Sequence, residues 1–227
     1  MKKMLVIIFI LLIIFIGIYI NKKNIGNETV TATEVNNIEE YISKIYMWQE
    51  ITEEALPKFN NINDAPDLWL WEVVKKNLDD YEVSYDEIEQ KAKEIFGEEF
   101  TKQFPKEGTE YIQYNEELKK YVATGVGLDT LDDSFFIKQI TKTKKGYEVE
   151  IAEYLEDYEN SMNIEDENQV YDIYIKDLNH NIIATIKSND GETKSIEVVK
   201  ENIDKFTTKK IILEKDKKEN LYVRQVG

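Results

Sequence analysis

Met4 to Ile20 is an apolar run without a charge, bounded by Lys2-Lys3 and Lys22-Lys23; beyond it the apolar positions take up helical or strand spacing. Thr31 and Glu34 have the spacing of a capping box. After them Ile38, Tyr41, Ile42, Ile45, Trp48, Ala55 and Leu56 share one helical face up to Pro57, which predicts a first amphipathic helix. Asp64 before Ala65-Pro66 predicts a second helix start, with Leu70, Trp71, Val74, Leu78 and Tyr81 as its buried stripe. Ser84 and Glu87 repeat the capping box, and Ile88, Ala92, Ile95 and Phe96 lead to Gly97, a left-handed C-terminal cap.

After Pro105 the period shortens. Tyr111–Tyr114 and Tyr121–Thr124 read as short strands joined at Asn115-Glu116-Glu117. Phe135–Thr143 and Tyr147–Leu155 form a hairpin around Lys144-Lys145-Gly146, with the glycine placed for a positive φ. Val170–Leu178 and Asn181–Lys187 form a second hairpin turning at Asn179-His180, and Glu156–Gln169 is the polar loop between the two. Ile196, Val199, Ile203 and Phe206 return to helical spacing over about 194–206. Lys209–Glu214 and Leu221–Val226 then make a last hairpin around Lys217-Lys218-Glu219-Asn220.

Helices followed by hairpins, without regular strand–helix alternation, predict an α+β fold. It comprises an N-terminal transmembrane helix, three helices packed on one face of an antiparallel sheet, and one further helix before the last hairpin. Residues 1–24 form the membrane anchor, 25–31 a tether, and 32–227 an extracytoplasmic domain. The apolar run is too long for a secretory core of about 7–15 residues and lacks a cleavage site at its end. As a helix its 17 residues would span about 26 Å, close to a hydrocarbon core. The short N-terminal tail places the N-terminus in the cytoplasm and the domain outside.

Charge narrows the partners. The chain of 227 residues carries 45 acids against 29 Lys and Arg, a net charge of -16; without residues 1–24, which hold four lysines and no acid, the balance is 45 against 25, or -20. Such a charge argues against nucleic acid and anionic lipid as partners, since both need a basic footprint. The absence of Cys removes disulfides, thiol nucleophiles and thiolate metal sites. Lys outnumbers Arg 28 to one, Arg224, which fits an AT-rich bacterial genome, and with the missing Cys a Gram-positive surface protein.

The order of helices, long hairpins and a C-terminal amphipathic strand, Leu221-Tyr222-Val223-Arg224-Gln225-Val226, resembles the cystatin-like and nuclear-transport-factor-two-like folds of small exported bacterial proteins. The chain also resembles lysine-rich, membrane-anchored Gram-positive proteins. The likeness covers roughly residues 85–227; the helix at about 194–206 departs from the usual order, and no functional residue carries over.

Candidate chemistry is sparse. His180, the lone imidazole, sits between Asn179 and Asn181 in a turn and announces no catalytic neighbours. Gly125-Val126-Gly127 lacks the rest of a phosphate loop. Asp129, Asp132 and Asp133 bring three carboxylates close together, a weak calcium set in what is by default a solvated loop. No cofactor is called for. Trp69 and Val73 project opposite the main stripe of the second helix, so that helix is either sandwiched or offers a partner-binding surface.

Glu153 interrupts the apolar face of Tyr147, Val149, Ile151 and Leu155. Either a bulge after Ala152 turns it into water, or it projects into a cavity where desolvation raises its pKa and it binds a proton or cation. Glu153, Trp69 and Val73 are therefore the binding candidates, and there is no catalytic one. The function expected is a membrane-tethered binding module engaging another envelope protein or a small ligand. The alternatives are a carboxylate-dependent hydrolase of cell-envelope material and a structural subunit of a membrane complex.

Overall fold

The computed structural model describes residues 29–47, 55–78, 82–108, 112–123, 131–157, 172–187 and 192–227. The predicted anchor, Trp48, Tyr81, Asp129 and residues 158–169 of the predicted loop lie outside the described residues. Among the described residues no helix is long and apolar enough to cross a membrane. Among the described residues the architecture is α+β, with four α-helices and antiparallel sheets.

Helix α1 (Ala32–Ile45) starts as its capping box requires: Glu34 N–H donates to Thr31 Oγ1 and Thr31 N–H to Glu34 Oε2. It ends earlier than predicted. Ala55 and Leu56 are buried, but in an irregular segment that packs on the core by itself, so their periodic match with α1 is accidental. Helix α2 (Asp67–Lys76) is also shorter than its apolar pattern. Asp64 closes a 3₁₀ turn, Ile62–Asp64, rather than capping the helix, whose N-cap is Pro66. Helix α3 (Tyr85–Phe96) has the second capping box and ends at Gly97 with φ 89° and ψ 168°. That conformation is essentially restricted to glycine, though it lies outside the left-handed helical region expected.

Strands β1 (Glu82–Val83), β2 (Ile112–Asn115) and β3 (Lys120–Ala123) form a small sheet in the order β1-β3-β2. The larger sheet centres on β5 (Gly146–Asp157), paired along its length with β4 (Leu131–Lys142). The other edge of β5 is shared. Residues 146–153 pair with β8 (Thr207–Lys215), which continues to β9 (Leu221–Val226). Residues 155–157 pair with β6 (Asp172–Lys176), which continues to β7 (Ile182–Lys187). The sheet therefore branches beside Glu153 and Tyr154. Glu156 and Asp157, predicted to open a polar loop, are buried strand residues instead, and Asp157 is paired with Lys176.

Tyr147, Val149 and Ile151 face the helical layer and share one core with α1, α2, α3, Ile211, Leu213, Val223 and Val226. Tyr41 locks three elements together: its hydroxyl donates to Ile95 O at 2.8 Å and accepts from Val223 N–H at 2.8 Å. Burial raises its pKa. The opposite face is not open, as a one-sided sheet would require. Ala152, Tyr154, Ile175 and Ile186 pack there against Val199 of helix α4 (Glu192–Glu201) and against Phe206. Strand residues alternate faces, so covering both sides accounts for the unbroken burial of β5 from Ile151 onward. Gly146 does not adopt a positive φ. Its requirement is space, since a Cβ there would lie 2.2 Å from Leu213 O.

Candidate functional site

The bulge that would turn Glu153 into water is absent. The register runs unbroken through Ile151↔Lys209, Ala152↔Thr208 and Glu153↔Thr207, and the irregularity lies instead in β4 between Ile137 and Gln139. Glu153 is 0% exposed. Directly opposed residues of an antiparallel pair project to the same face, so Lys209, opposite Ile151, is the diagonal neighbour of Glu153 on the helix-facing side. Lys209 Nζ lies 3.3 Å from Glu153 Oε2 and donates to Leu56 O at 2.6 Å. A buried carboxylate is thus matched by a buried ammonium that also ties down the segment between α1 and α2. The pair satisfies the electrostatic requirement that buried charges be paired.

Lys209 escaped the sequence reading, although its parity with Ile211 and Leu213 in β8 signals an inward position. The partner-surface reading of Trp69 and Val73 is corrected: they are 1% and 0% exposed, and α2 is sandwiched. Trp69 packs on Phe59 and Phe96, with its indole N–H donating to Ala55 O at 3.1 Å. Trp71 packs on Phe104 and on Tyr121 of the small sheet. Both apolar faces of α2 are therefore spent on the fold.

His180 is exposed, with φ 62°, in a turn organised by Asp177, whose Oδ1 accepts from Asn179 N–H and Asn181 N–H. Asp132 and Asp133 are consecutive β4 residues paired with Glu156 and Leu155, so the strand begins within the stretch predicted as a loop. Among the described residues no group of three or more His, Cys, Asp or Glu side chains could hold a metal ion.

The structure adds a feature that the chain order conceals. An open groove of about 510 Å³ runs between α3 and the β8–β9 hairpin, lined by Asp86, Glu89, Glu94, Glu98 and Asp216 together with Lys93 and Lys218. A smaller one of about 320 Å³ adjoins it, sharing Glu89, Lys93 and Glu98. Neither is lined by Glu153. Packing of α3 on β9 assembles the acids: the apolar stripe of α3 faces inward, leaving its carboxylates on the outer face. Hydrogen bonds from Lys91 and Gln90 lower the pKa of Glu94, and those from the Asn220 side chain and backbone lower that of Asp216. These two carboxyls are held on the ionised side and make poor proton donors.

No family model, curated protein or solved structure matches the chain. The functional reading therefore rests on this chain's own residues and geometry.

Proposed function

We propose that the protein is a membrane-tethered extracytoplasmic binding module, anchored by residues 4–20 with its N-terminus in the cytoplasm, whose acid-lined groove receives a cationic segment of another envelope protein or a small cationic ligand. The groove carries this reading. It gathers five carboxylates around an open concavity, and hydrogen bonds lower the pKa values of Glu94 and Asp216. A carboxylate-pair hydrolase needs one acid kept protonated to donate to the leaving group. Glu94 and Asp216, held on the ionised side, supply attraction and steering for a positive partner instead.

The test uses the full chain in its own membrane. It should resist carbonate extraction, be digested by protease added from outside, and cross-link from a photoreactive residue at Gln90 to a discrete partner. Glu89→Lys with Glu94→Lys should abolish that cross-link and leave membrane retention unchanged. Release of fragments from cell-wall material by the purified full chain, lost in Glu89→Gln or Glu98→Gln, would replace the binding reading with the hydrolase.

A further inference from the structure

The first described residues of the domain lie at one particular end of the large sheet. Glu34, in the first turn of α1, accepts from Tyr147 Oη at 2.7 Å and meets Lys142 Nζ at 3.0 Å. Lys215 Nζ lies 5.2 Å from the centre of the Tyr147 ring, and Lys215 N–H donates to Lys145 O at 2.8 Å. The chain thus enters the domain beside two adjacent turns, the one joining β4 to β5 and the one joining β8 to β9. These turns carry Lys142, Lys144, Lys145, Lys215, Lys217 and Lys218.

Among the described residues of the two turns and of the first turn of α1, four carboxylates accompany these six lysines, and each is already engaged. Glu34 holds Lys142, Glu214 holds Lys145, Glu219 holds Lys215, and Asp216 accepts from Lys218 N–H and Asn220 N–H within its own turn. Lys144, Lys217 and Lys218 are exposed around the two turns. A domain of net charge -20 beyond residue 24 therefore has a local positive excess where its tether enters. Only folding shows this, because the two lysine turns are far apart in sequence. The groove acids limit its extent, since Lys218 and Asp216 also line the groove.

We propose that this end of the domain rests on the anionic phospholipid headgroups of the membrane that anchors it, with Lys144, Lys217 and Lys218 as the contact residues. The inference rests on the anchor reading above. Residues 21–28 separate the apolar run from the first described residue, and a chain of that length reaches at most about 28 Å. The two turns are held near the bilayer, where the surface field decays over about 10 Å at 0.1 M salt. Each lysine near an anionic leaflet favours the docked orientation by roughly fivefold, so Lys217 and Lys218, the two left in a Lys144→Cys chain, bias it by about 25-fold.

The absence of Cys makes single-cysteine labelling clean. Full chain carrying a fluorophore at Lys144→Cys or at Lys187→Cys, which lies at the far end of the sheet, is reconstituted into phosphatidylcholine vesicles with or without phosphatidylglycerol, all containing headgroup-nitroxide lipid. The label at 144 should be quenched severalfold more than that at 187 on phosphatidylglycerol vesicles. The difference should disappear on pure phosphatidylcholine, in 1 M salt, and in Lys217→Glu/Lys218→Glu on the Lys144→Cys background. Equal quenching of the two labels on anionic vesicles, or a preference unchanged by lipid charge, salt and charge reversal, overturns the orientation while leaving the anchor standing. Loss of the chain from vesicles in carbonate overturns the anchor itself, and with it the leash on which this docking depends.

Discussion

Lys209 and Glu153 form a diagonal pair across the β5–β8 ladder, 3.3 Å apart, with side chains only 3% and 1% exposed. They meet where the sheet branches, and Lys209 also holds Leu56 O. Removing one partner strands a charge in the core, which costs about 3–5 kcal/mol, whereas replacing both with apolar groups of similar size is often near neutral. Glu153→Leu and Lys209→Met should each destabilise by that amount in urea unfolding followed by circular dichroism, and the double variant should recover most of the loss. Single variants as stable as wild type would show that the pair does not hold the branch.

The two α2 tryptophans give a second stability test. Sequence spacing placed Trp71 in the core and left Trp69 either sandwiched or on a partner-binding surface, and both are enclosed. Each replacement by Ala should cost about 3–5 kcal/mol, as expected for large-to-small core changes. Trp69→Phe retains much of the packing but leaves Ala55 O without the indole donor, so it should still cost about 1 kcal/mol. A Trp69→Ala variant with an unshifted urea midpoint would restore the surface reading.

What could be read in the sequence was the short-range part of the fold. Both capping boxes, the end of α3 at Gly97 and the last two hairpins depend on residues within a few positions of one another. The failures were tertiary. Ala55 and Leu56 mimicked α1 because an irregular segment can bury apolar residues as well as a helix can. Glu156 and Asp157 looked like loop residues because nothing local announced that β4 and β6 would enclose them. At the candidate site, the oddity of Glu153 was legible from strand alternation, but Lys209 was not, since its pairing is set by the sheet order. The acid groove and the lysine end were invisible for the same reason: each joins side chains from elements remote along the chain.

Gly97 should tolerate no side chain. Its φ of 89° and ψ of 168° are accessible essentially only to glycine, and a Cβ would lie 2.9 Å from the Tyr222 ring. Gly97→Ala should destabilise by at least about 1–3 kcal/mol from the backbone alone. Adding Tyr222→Ala removes the clash but not the backbone strain, so the double variant should remain less stable than Tyr222→Ala by about that amount. Equal stability of those two variants would locate the whole effect in the ring contact.

Acid stability should depend on Glu34. Hydrogen bonding from Thr31 N–H, from the Tyr147 hydroxyl and from Lys142 outweighs desolvation and lowers its pKa from 4.5 to about 2. Because the folded-state value is depressed, the folded protein binds the proton less readily than the unfolded chain. The carboxylate's contribution is fully present above the unfolded value and is lost as pH falls from about 4.5 to about 2. Water reaches the group, whose side chain is 22% exposed, and screening limits the loss to the order of 1 kcal/mol. Glu34→Gln should be less stable than wild type at neutral pH, and the gap should close across that acid window in urea titrations at stepped pH. A gap that stays constant from neutral pH down to 2 would assign the effect of the substitution to packing at the α1 N-terminus and remove Glu34 as a titrating clamp.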